Sequence, residues 1–94
     1  MTRFQIRKAI LLKTFELYSK GINAFQPFIY SGLNKYLKKH NIRLSDIESV
    51  ELVEATIRER KKGEHNKRQV IKMLLNGYEI EFEIVYYDET FAKM

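Results

Sequence analysis

The chain has 94 residues, 45% hydrophobic and 13% aromatic, with a net charge of +5 and no cysteine. That length suits a single domain over residues 1–94, and the apolar content, with four Gly and one Pro, argues against disorder. The lack of cysteine excludes disulfides, thiolate nucleophiles and Cys-based metal or iron–sulfur centres, and it fits a reducing, cytoplasmic location.

No apolar run approaches the ~20 residues of a membrane span. Arg3, Arg7, Lys8 and Lys13 interrupt the first apolar stretches, which argues against a signal peptide. Charge is unevenly spread. Residues 1–44 hold nine Lys/Arg against one acid, Glu16, a net of +8, while residues 45–94 hold eight against eleven Asp/Glu, a net of −3.

The first predicted element is a helix over 3–20. Its apolar residues fall at 6, 10 and 17 and at 4, 11, 15 and 18. At ~100° per residue these are two adjacent stripes, expected to merge into one broad buried face. Lys13, Glu16 and Lys20 lie opposite, and Gly21 suits a left-handed cap.

Gln26-Pro27 marks a second helix, over about 27–40. Phe25 and Tyr30 have the spacing of a hydrophobic staple. Ile29, Leu33, Tyr36, Leu37 and His40 form one face, Lys35, Lys38 and Lys39 lie away from it, and Asn41 suits the cap. The apolar density of Phe25–Tyr30 also suits a partner contact.

Ser45-Asp46-Ile47-Glu48 has the form of a capping box. Two readings follow it. Val53, Ala55 and Ile57 alternate along a strand at about 50–60, and the β-branched content favours this reading. Alternatively, Ile47, Val50, Val53 and Ile57 line a third helix. That would give three helices plus a C-terminal β-hairpin, a winged-helix-like order, although the two-residue turn at Asn76-Gly77 is too short for a wing.

The last element is a hairpin with strands at about 68–75 and 78–87. Asn-Gly is the preferred pair for a two-residue turn needing positive φ at both positions. The turn sets Leu75, Met73 and Ile71 opposite Tyr78, Ile80 and Phe82 on an apolar face. It sets Leu74, Lys72 and Val70 opposite Glu79, Glu81 and Glu83 on the other, with Lys72–Glu81 as a cross-strand ion pair. The expected fold is therefore α+β, with two N-terminal helices on a three-stranded antiparallel meander.

Catalytic signals are weak. His40 and His65 stand alone, without metal-ligand spacing, and no glycine-rich phosphate loop exists. No cofactor or metal is implied, and the acidic ladder of Glu79, Glu81 and Glu83 reads as a solvated sheet face. The expectation is a non-enzymatic protein. Its leading reading is a small nucleic-acid-binding accessory or regulatory protein. Arg58, Arg60, Lys61, Lys62, Lys67 and Arg68 of a basic loop would contact DNA or RNA phosphates, together with Lys35, Lys38, Lys39 and Arg43. The alternative is a protein–protein interaction module, a small inhibitor or adaptor able to form a homodimer, because a three-stranded sheet leaves open edges.

Overall fold

Two helices cover one face of a three-stranded antiparallel sheet in the computed structural model, which describes residues 1–58 and 66–87. In chain order these are α1 (Arg3–Ser19), α2 (Gln26–Lys39), a 3-10 turn (Leu44–Asp46), β1 (Val50–Arg58), β2 (Asn66–Leu75) and β3 (Tyr78–Tyr87). The strands lie in the order β1-β2-β3. Helix α1 lies over β1, and α2 over β3.

Both helices end in the same device. At α1, Gly21 adopts φ 83°. Its N–H donates to Tyr18 O at 3.0 Å, and that of Ile22 to Leu17 O at 2.9 Å. At α2, Asn41 takes the left-handed position with φ 55°, and Ile42 N–H reaches Leu37 O at 2.9 Å. In each case two otherwise orphaned helix carbonyls are satisfied and the chain turns back toward the sheet. The start of α1 is a reciprocal capping box, in which Gln5 N–H donates to Thr2 Oγ1 at 3.1 Å and Thr2 N–H to Gln5 Oε1 at 2.9 Å.

Residues 50–58 form a strand, which overturns the three-helix alternative. The capping box expected at Ser45 and Glu48 does not form. The cap of the short turn falls two residues earlier, at Arg43, whose N–H donates to Asp46 Oδ2 at 3.2 Å, and the Glu48 N–H goes to Asn76 Oδ1 at 2.7 Å. A residue 28 positions away outcompetes the local cap. Phe25 is itself the N-cap of α2, so Phe25 and Tyr30 do not occupy the N′ and N4 positions of the expected staple. Phe25 packs edge-on against Phe28, with ring centroids 5.1 Å apart, and Tyr30 is buried.

The hairpin register is the expected one, from Leu75–Tyr78 through Val70–Glu83. Lys72 opposes Glu81 in that register, but the ion pair formed on this face among the described residues is Arg68–Glu83, at 3.5 Å. The β1 pattern is corrected by a bulge. Leu52 opposes Met73 and Glu54 opposes Lys72, so Val53 is the extra residue between them. This shifts the phase of the strand, so that Leu52 and Ala55 are both buried and Val53 is about half exposed. Ile57 shares the inner face of Ala55, opposite the buried Gln69, and is about half exposed near the end of edge strand β1.

The core sits between the layers. Ile6 and Ile10 of α1, Ile29 and Leu33 of α2, and Ile71 and Met73 of β2 are fully buried. Gln69 joins them, its Nε2 donating to Asn23 O at 2.8 Å, which ties the α1–α2 connection to the central strand. Gly32 lets α2 approach β3: a Cβ there would lie 2.7 Å from Phe82 Cε2 and 2.8 Å from Ile84 Cγ2.

Candidate interaction surface

Helix α1 is apolar on more sides than the sheet can cover. Ile6, Ile10, Thr14 and Leu17 face inward and are buried. The second stripe expected in the core faces outward: Phe4 is 74% exposed, Leu11 41%, Phe15 63% and Tyr18 70%. The two stripes do not merge, because the three strands are shared between two helices. Helix α1 occupies the β1 side, α2 fills the β3 side, and nothing in the described structure lies over the outer face of α1.

The outer stripe has a definite period. With Lys8 between them, residues 4, 8, 11, 15 and 18 advance by alternating steps of four and three. That is the a/d seam of a coiled coil, narrower than the stripe a helix turns toward a sheet. At ~1.5 Å rise per residue the seam is about 21 Å long. Leu12, beside it, is 61% exposed.

The seam forms one wall of a furrow. Near its C-terminal end, Leu11, Phe15 and Tyr18 face Ala24, Phe25 and Pro27 across an apolar hollow of about 440 Å³. Toward the N-terminus the lining changes to Phe4, Arg7, Lys8 and Gln26. At the N-terminal end a further hollow holds Arg3, Arg7, Asn34 and Lys38. The Arg7 guanidinium lies 4.4 Å from the centroid of the Tyr30 ring, a cation–π contact that fixes its position. The furrow therefore grades from cationic to apolar along α1. The one acid of α1, Glu16, lies off the seam, and its carboxylate meets Lys13 Nζ at 3.1 Å and Lys20 Nζ at 3.3 Å. Hydrogen bonds from Lys13 and then Lys20 lower its pKa below the usual glutamate value.

The basic residues expected at a nucleic-acid site are dispersed where they are described. Lys38 joins Arg3 and Arg7 in the furrow. Lys35 and Lys39 lie on the other side of α2, lining a hollow with Glu81 and Glu83 of β3. Arg68 is on the outer sheet face, paired with Glu83. Arg43 precedes the 3-10 turn, Arg58 ends β1 and Lys67 falls in β2. Arg60, Lys61 and Lys62 lie outside the described residues. Among the described residues no cluster of three His, Cys, Asp or Glu side chains could hold a metal, and no helix is long and apolar enough to cross a membrane.

The periodicity of α1 predicts burial for both stripes, and the signal against it is Lys8, which interrupts the outer one. Comparison of the chain with known protein families, with curated proteins and with solved structures finds no match.

Proposed function

We propose that this protein is a non-enzymatic interaction module that docks a helix of a protein partner along the outer seam of α1. The observation carrying this reading is the exposure of Phe4, Leu11, Phe15 and Tyr18 at coiled-coil spacing. Large apolar side chains left in water at that period gain free energy when a second helix covers them, at roughly 25 cal/mol per Å² removed from water. Two variants test it. Leu11→Glu/Phe15→Glu removes the seam, and Ser31→Glu alters an exposed α2 residue outside the furrow. A partner recovered with the unaltered chain and with Ser31→Glu, but lost with the seam variant, is the expected result. Recovery of the same proteins by all three chains would remove the seam from consideration.

A second reading rests on the cationic end of the furrow, where Arg3, Arg7 and Lys38 converge. Phosphate oxygens of a nucleic acid suit such a cluster. In this reading the chain binds single- or double-stranded DNA at ~50 mM salt, the affinity falls steeply as salt rises, and Arg3→Ala/Lys38→Ala abolishes it. Undetectable binding at that salt removes this reading.

A further inference from the structure

The gradation of the furrow says more than that something docks there. We infer that the occupant is an amphipathic helix of another protein, with acidic side chains facing Arg3, Arg7 and Lys8 and apolar ones facing Leu11, Phe15 and Tyr18; this rests on the docking reading above.

The case is one of charge complementarity along a seam of fixed period. Lys8 occupies an a-type position inside the seam, and Arg7 occupies the flanking position nearest α2. Arg3 lies one turn before Arg7 on α1, and Lys38 adds a fourth cation from the facing helix. No described acid lines the furrow, and Glu16 is held by Lys13 and Lys20. A second copy of this chain fits less well, because its seam offers the same cations and no free carboxylate to meet them. Toward the C-terminal end the furrow has only apolar and neutral polar walls. The direction of the gradient therefore fixes which end of the incoming helix carries its acids.

The probes are two synthetic peptides of three heptads, about 21 residues each, with leucine at every a and d position. They differ only at the flanking e and g positions, which are glutamate in one and lysine in the other. Like charges on those flanks keep each peptide from pairing with itself. Binding to the full chain is followed by calorimetry, with circular dichroism confirming that every variant is folded. The acidic peptide should bind about tenfold more tightly than the basic one, and added salt should narrow the gap. Leu11→Glu should abolish binding of both, and Arg3→Glu/Arg7→Glu/Lys8→Glu should reverse the preference.

Equal binding of the two peptides overturns the acidic partner and leaves the docking reading standing. Binding that survives Leu11→Glu, or no binding of either peptide, overturns helix docking in the furrow altogether. A concentration-dependent dimer in sedimentation that Leu11→Glu abolishes places a second copy there instead. Displacement of the acidic peptide by single-stranded DNA at the same salt assigns the cationic end to phosphate. Each of these last two results also overturns the inference.

Discussion

Asn76 does two jobs, one with its backbone and one with its side chain. Its backbone, at φ 51°, makes the first half of the hairpin turn. Its amide bridges to the segment before β1: Oδ1 accepts from Glu48 N–H at 2.7 Å and Ser49 N–H at 3.1 Å, and Nδ2 donates to Asp46 O at 2.8 Å. The turn was legible in the sequence because Asn-Gly is a local signal. The bridge was not, because its partners are distant in the chain and nothing local marks them. Asn76→Gly separates the two roles, since glycine keeps the positive φ and loses the three bonds. At about 0.5–1.5 kcal/mol net per bond, with exposure placing them at the low end, we expect a loss of about 1–3 kcal/mol in denaturant unfolding. A change within about 0.5 kcal/mol would mean that only the turn matters. Gly32→Ala sets two effects against each other. Alanine gains about 1 kcal/mol of helix propensity, but its Cβ meets Phe82 and Ile84 at under 3 Å, and such overpacking costs typically 1–3 kcal/mol. We expect net destabilisation, partly recovered by Phe82→Leu in the same chain.

The helices and strands themselves follow from local signals. Glycine or asparagine in the left-handed position ends each helix, and period-two alternation with an Asn-Gly turn builds the hairpin. What periodicity cannot supply is the number of neighbours an element will have. Helix α1 carries two apolar stripes, and the sequence says nothing about whether the sheet is wide enough to take both. A second limit shows at Val53, where a bulge that no local pattern marks shifts the phase of β1. Substitution separates the stripes: Ile10→Ala, inside, should cost about 2–5 kcal/mol, whereas Phe15→Ala, outside, should change stability by less than about 1 kcal/mol. Comparable losses at both positions would put the outer stripe back into the core. Glu16 gives an independent check on the solvent side of α1. Its pKa is lowered by Lys13 and Lys20. Its contribution is therefore present above the unfolded-state value and is lost as pH falls through the folded one. An NMR titration should place Glu16 below the usual glutamate range and return it toward that range in Lys13→Met/Lys20→Met. An unchanged midpoint would dismiss the pairing.

At the scale of the molecule, the layers divide the work. Strand β2 is central, with hydrogen-bonded neighbours on both sides, and its Ile71 and Met73 are fully buried. Every amide of such a strand is bonded to one neighbour or the other, while an edge strand leaves alternate groups free. Helix α1 is different, because one face packs on the sheet and the opposite face meets water across large apolar side chains. Hydrogen exchange should therefore report two levels. The slowest amides, exchanging only on global unfolding, should belong to residues 69–75, and those of α1 should open earlier at a fraction of that free energy. Saturation with the acidic peptide should slow α1 preferentially, because a ligand that binds only the folded helix adds its binding free energy to every opening that breaks the site. Uniform slowing across the chain would mean that α1 never opens apart from the sheet. In that case the seam belongs to a single cooperative unit, and docking reads out global stability rather than a separately mobile helix.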